Sequence, residues 1–179
     1  ADAWSEALDG MFEDLAAKPP KALVLDVRGN SGGSTEPLAE LLPRLVSPWQ
    51  IYSSATIRQQ KGNGTWKDPV TKPWKAKKGK PEYEGPVYVL TDASTFSTGV
   101  DLAATLSDLG RAKVVGEVPG GLPTSTGNKQ SVKLPSGLVL EVATARFVRA
   151  DPSKGDGPLA VDLPSHPEQA LAAVLKDLE

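Results

Sequence analysis

A chain of 179 residues with 39% hydrophobic content has the length and apolar fraction of one ordinary domain. Its 20 basic and 22 acidic residues leave a net charge of −2, which gives no electrostatic reason to expect nucleic acid or an anionic membrane. The absence of cysteine excludes disulfides, thiol catalysis and zinc–thiolate sites, the single histidine excludes a His-rich metal site, and the apolar runs are too short to span a bilayer.

Residues 3–17 carry apolar side chains at Trp4, Ala7, Leu8, Met11, Phe12 and Leu15, which is helical spacing, and Lys18-Pro19-Pro20 stops the run. The pattern begins without a signal peptide or leading loop. The expectation is therefore one core domain over residues 1–179, cut from the C-terminal part of a longer chain. Residues 21–27 (KALVLDV) are a nearly continuous apolar run of the kind a sheet covered on both faces requires. A glycine-rich loop then enters a second helix, with Ser34 or Thr35 as cap and Pro37 in the first turn. Leu38, Leu41, Leu42 and Leu45 form its apolar face, and Pro43 should kink it or end it early.

Residues 50–57 read as a strand. Residues 59–85, rich in lysine and proline, read as a surface loop, hairpin or flap pinned by Trp66 and Trp74. Lysines 72, 75, 77, 78 and 80 beside those tryptophans also offer a nucleic-acid or peptide contact, a reading the acidic balance elsewhere disfavours. Residues 86–90 and 112–117 are buried-type strands flanking a helix over 99–109 that Gly110 closes. A hairpin spans residues 128–149 across Pro135-Ser136-Gly137, and Ser165-His166-Pro167-Glu168 reads as a capping box opening a last helix to Leu178. Strands alternating with helices give an α/β domain.

Four groups carry candidate chemistry. The loop GNSGG (residues 29–33) lies between a buried strand and a helix, so its N–H groups can converge on an anion or a developing oxyanion. It lacks GxGxxG and has no following GK[ST], so it is neither a dinucleotide nor a P-loop signature, and a tight turn explains its glycines equally well. Ser97 sits where a strand gives way to a helix, which suits a nucleophile and equally suits an N-cap, a role open also to Ser94, Thr95 and Thr98. Asp26, Arg28 and Asn30 alternate at the end of their strand and suit bracing of the glycine loop. His166 is a general base by type, but its place in the capping box favours a structural role.

Together these segments resemble a known family. LVLDVRGNSGG (23–33) is similar to the strand-and-loop signature of the carboxyl-terminal processing, or tail-specific, serine proteases. ASTFSTGVDLAATLSDLGRAKVVGE (93–117) resembles their nucleophile segment, PSGLVLEVATARFV (135–148) the hairpin that follows, and GPLAVDLP (157–164) a terminal element. The resemblance implies a crotonase/ClpP-like core of stacked ββα units, with a mostly parallel sheet flanked by helices. It implies Ser97 as nucleophile and an oxyanion hole from the N–H of Thr98 and of Gly32 or Gly33, with the glycine loop and serine turn side by side. It also implies peptide or protein substrates, no metal or organic cofactor, and work outside the cytoplasm; it leaves the oligomeric state open.

The sequence departs from the family where the catalytic lysine is expected, since that position is Leu122, while Lys129 lies in a predicted strand. The resemblance is therefore to the branch of the tricorn core and the interphotoreceptor retinoid-binding modules. That branch implies a base from outside this chain, with Asp156 as its acidic partner. It also admits an alternative: a catalytically inactive member that binds peptide or an apolar ligand in the same cleft.

Overall fold

The computed structural model describes residues 3–46, 51–56, 59–60, 66–67, 70–75 and 82–179. Helix α1 (Ala3–Ala17) leads into strand β1 (Leu23–Asp26) and helix α2 (Glu36–Leu45). Strands β2 (Ile51–Thr56), β3 (Gln59–Gln60), β4 (Trp66–Lys67) and β5 (Val70–Lys75) follow. Next come β6 (Val87–Thr91), α3 (Thr98–Asp108), β7 (Lys113–Gly116), β8 (Ser125–Lys133), β9 (Val139–Val148), β10 (Leu163–Pro164) and α4 (Ala170–Asp177).

A four-stranded parallel sheet, ordered β1-β6-β7-β10, carries helices on both faces. Alternation along β6 decides which residues face which layer. Val87 and Val89 join Leu42, Leu45, Leu106 and Phe12 in one core, beneath α1, α2 and α3. Tyr88 and Leu90 join Ala170 and Val174 of α4 in a second. Strand β6 is buried along its whole length. Strand β1 is covered on both faces, as its composition requires, but it lies at the sheet edge and its apolar residues stay half-buried. The fold is thus α/β, a parallel sheet flanked by helices.

A second sheet, ordered β5-β2-β9-β8, is antiparallel throughout. The hairpin of β8 and β9 was legible; its pairing with β2, about 90 residues upstream (Ser53 opposite Val148), is a long-range contact. Within the segment read as a surface flap, β5 pairs with β2 and β3 with β4. Residues 61–65, 68–69 and 76–81, with much of the lysine cluster, lie outside the described residues.

Two local expectations are corrected. Pro43 ends nothing: α2 runs on to Leu45, because a proline in the last turn costs one hydrogen bond and leaves Val46 N–H free to reach Leu42 O at 2.9 Å. The C-terminal capping residue is His166, not Ser165. The Nδ1 of His166 accepts from the N–H of Glu168 at 3.4 Å and opens a 3₁₀ turn (Pro167–Gln169) ahead of α4. Ser165 Oγ is buried without a partner. Gly110 closes α3 with a positive φ of 63°, as expected of a C′ glycine.

Candidate functional site

Two turns meet at the carboxyl ends of neighbouring parallel strands: the glycine loop leaving β1 and the serine turn leaving β6. Asp26 and Arg28 brace the first, through Nη2 to Oδ2 at 2.5 Å and Nε to Oδ1 at 2.9 Å. That hydrogen bond holds the Asp26 carboxyl below its usual range. Arg28 also donates to the carbonyl of Pro167, tying the loop to the start of the C-terminal helix. Asn30 completes the brace, since its Oδ1 accepts from Gly32 N–H at 2.8 Å and its carbonyl accepts from Phe96 N–H at 2.9 Å.

Two residues that the sequence did not single out sew the turns together. The Asp92 carboxylate accepts from the N–H groups of Gly29 (3.0 Å) and Ser94 (2.9 Å). The buried Thr95 hydroxyl donates to the carbonyl of Val27 at 2.9 Å and accepts from Asp92 N–H at 3.0 Å. From sequence Thr95 is only one of several N-cap candidates and Asp92 carries no signal of its own, so only their partners reveal the role. Farther along, the Thr98 hydroxyl donates to Gly33 O at 2.9 Å.

Ser97 sits at the apex with φ 50° and ψ −123°, a conformation a non-glycine residue adopts only under constraint. It holds the N-cap position of α3, yet its side chain makes no capping hydrogen bond, so capping does not account for the hydroxyl. It is exposed. The glycine loop packs closely on this residue: a Cβ on Gly32 (φ 104°) would lie 2.5 Å from Ser97 Cβ and 3.0 Å from its Oγ. Only glycine permits this approach.

The N–H groups around Ser97 are not equivalent. Gly32 N–H is occupied by Asn30, whereas no hydrogen bond within the described residues engages the N–H of Gly33 or of Thr98. The Thr98 N–H directly follows Ser97 at the positive end of the α3 dipole, and Gly33 is held to the same turn through its carbonyl, which accepts from the Thr98 hydroxyl. Beside them opens a cleft of about 400 Å³, walled by the Gly32, Gly33, Thr98 and Gly99 positions and by apolar side chains from α1, β1, α2 and α3.

The other expected groups stand elsewhere. Leu122 is 45% exposed and follows Gly120 and Gly121, which pack on Phe96; a Cβ at Gly120 would lie 2.5 Å from the Phe96 ring. Lys129 on β8 pairs with Glu141 at 3.0 Å, and Asp156 pairs with Arg146 at 2.7 Å. His166 serves its turn. No described side chain hydrogen-bonds the Ser97 hydroxyl. One acid nearby escaped the sequence reading. Asp101, one helical turn after Ser97, is half-buried, its carboxylate has no hydrogen-bond or ion-pair partner among the described residues, and burial pushes its carboxyl up from 3.8 to about 7. Among the described residues no group of acids and histidine is arranged to hold a metal ion, and no helix is long and apolar enough to cross a membrane.

Against known proteins, the model of peptidase family S41 matches residues 2–158. The carboxy-terminal processing protease CtpB of Bacillus subtilis is 33% identical over 113 residues, 63% of this chain and 22% of that protein. Two solved structures share the fold. The photosystem II D1 C-terminal processing protease is 22% identical with a TM-score of 0.61, and the alignment covers 99% of this chain and 44% of that one. Mature CPAF is 13% identical with a TM-score of 0.69, covering 99% and 45%. The chain thus spans under half the length of each of these relatives.

Proposed function

Because the chain belongs to peptidase family S41, we propose that it is the nucleophile-bearing core of a serine peptidase that hydrolyses peptide bonds. The observation that carries this reading is the strained, uncapped Ser97 in the same turn region as two N–H groups with no partner among the described residues. A serine on a sharp strand-to-helix turn, with donors from the following residue and from a second loop, is the arrangement acyl transfer needs.

Ser97 Oγ attacks the substrate carbonyl carbon while its proton passes to a base. The carbonyl oxygen gains the negative charge and is held by the N–H groups of Gly33 and Thr98. Collapse expels the amine, which takes the proton, and leaves an acyl-serine that water then hydrolyses. Of the two glycines expected at the oxyanion, Gly33 is favoured because Gly32 already donates to Asn30. The base comes from outside the described residues; Asp156, expected from the resemblance as its acidic partner, is paired with Arg146 instead.

One observation favours a second reading. The resemblance sets Leu122 at approximately the family's lysine position, and a leucine cannot accept a proton, which suits a module that binds peptide or an apolar ligand without cleaving it. Fluorophosphonate labelling of the full-length protein separates the two. Labelling that disappears in Ser97→Ala supports the peptidase. Absence of labelling in the parent, with every measured activity unchanged in Ser97→Ala, removes it.

A further inference from the structure

We infer that Asp101 is the acid that holds and orients the base of Ser97: a nitrogen base from outside the described residues takes the serine proton on its lone pair, while an N–H of the same side chain donates to the Asp101 carboxylate. The inference rests on the peptidase reading. It gives that reading the acidic partner that Asp156, paired with Arg146, does not supply.

Position carries the argument. The N–H of Asp101 donates to the carbonyl of Ser97 at 2.9 Å, so the two residues close the first turn of α3. Residues four apart share a helix face, and each side chain leans toward the N-terminus, over the turn that precedes its own Cα. The Asp101 side chain therefore covers the turn that begins at Ser97. Access falls at the same place. From Gly99 to Leu106 every residue of α3 is buried except Asp101, so a side chain arriving from another part of the protein meets this stretch of helix at the carboxyl.

The surroundings leave the acid without a partner of its own. Val100, Leu102, Ala103 and Ala104 set it in an apolar stretch, and burial is the only cause of its raised pKa, so no charged group of any neighbouring described element acts on it. The next acid along its face, Asp108, lies two turns on and is held by Arg149 and Lys154. A half-buried carboxyl with no hydrogen bond costs stability, and an N–H that donates to it removes that cost. The base gains in return: a carboxylate beside it holds the lone pair toward the serine and stabilises the positive charge that forms when the proton arrives. Asp101 acts through the base and touches no reacting atom, so it is a positioning residue.

The test is fluorophosphonate labelling of Ser97 in the full-length protein, in which Oγ bonds to phosphorus, fluoride leaves and the base takes the proton. The rate is followed as a function of pH in the parent and in Asp101→Asn, Asp101→Glu and Asp101→Ala. Asp101→Asn keeps the shape and loses the charge, so its plateau rate should fall by roughly 100-fold. The midpoint of its pH profile should move to lower pH, because a base without a neighbouring carboxylate gives up its proton more easily. Asp101→Glu should recover part of the rate with the midpoint of the parent. Should Asp101→Asn fail to fold, Asp101→Ala carries the same comparison, with the same fall and the same direction of shift.

A slower rate with an unmoved midpoint means a structural role and overturns the inference. So does an unchanged rate in the Asn and Ala variants while Ser97 is labelled in the parent; the peptidase reading survives both results. No labelling of Ser97 in the parent at any pH removes the peptidase reading and the inference with it.

Discussion

The two ends of helix α3 are built on opposite terms, although one face of the helix carries an aspartate at each. At the C-terminal end, the Asp108 side chain is fully buried and its carboxylate is saturated. Arg149 reaches it through Nε at 3.0 Å and Nη2 at 2.7 Å, Asp151 N–H at 3.1 Å and Lys154 at 3.2 Å. At the N-terminal end, Asp101 is half-buried with burial as the sole cause of its raised pKa, and Ser97 holds a strained backbone with no cap. The difference teaches where this domain places its stability. The distal end locks α3 to the segment that follows β9; the end at the glycine loop retains strain and donors with no partner among the described residues.

The comparison can be broken from either end. The largest expected effect is at the lock: Asp108→Ala leaves the guanidinium of Arg149 buried and uncompensated and should lower unfolding free energy by about 3–5 kcal/mol. Urea denaturation measures this, and a loss below 1 kcal/mol would mean that the pair does not hold the helix.

Next comes Asp101→Asn, whose effect depends on pH. The folded carboxyl titrates near 7 instead of 3.8, so between those values the folded state holds a proton that the unfolded state has released. Stability therefore falls as pH rises through that window, and the full penalty is present above about 7. Asp101→Asn should be near neutral at pH 4 and stabilising by about 2 kcal/mol at pH 8, less than the whole shift implies because solvent reaches the carboxylate. A stability difference that does not change with pH would refute the assignment.

The smallest effect sharpens the description of the apex. Ser97→Gly removes the strain that Ser97→Ala retains, so the glycine variant should be the more stable of the two by about 0.5–1 kcal/mol, against glycine's usual entropic cost. Matched denaturation curves decide it. If alanine is the more stable, the positive φ is not strained in solution.

Much of this fold is legible in the amino-acid sequence. Helix α1 matches its apolar spacing at both ends, because a 3.6-residue period and a Lys-Pro-Pro stop are local signals. The fully apolar β6 and the Gly110 stop were equally plain. The site was legible in part. Residues 29–33 and Ser97 stood out individually, and a family resemblance set them side by side. What escaped was whatever depended on a partner. Asp92 and Thr95 are common turn residues whose importance lies in reaching Gly29 and Val27, more than sixty positions away. His166 displaced Ser165 as cap because the neighbouring turn closed one residue later than the capping-box pattern suggested.

The amino-acid sequence by itself determined the α/β class, the order of the four helices with strands β1, β2, β6, β7 and the β8–β9 hairpin, and the absence of cysteine chemistry, since each follows from local periodicity or from composition. Only the tertiary structure decided that Gly32 N–H is engaged while that of Gly33 is available, that Ser97 is held at a positive φ, and that side chains from four elements close one apolar cleft. Each of these is a relation between segments far apart in the chain. Such relations are fixed when the sheet and helices pack, because close packing leaves each backbone N–H and each Cβ one set of neighbours.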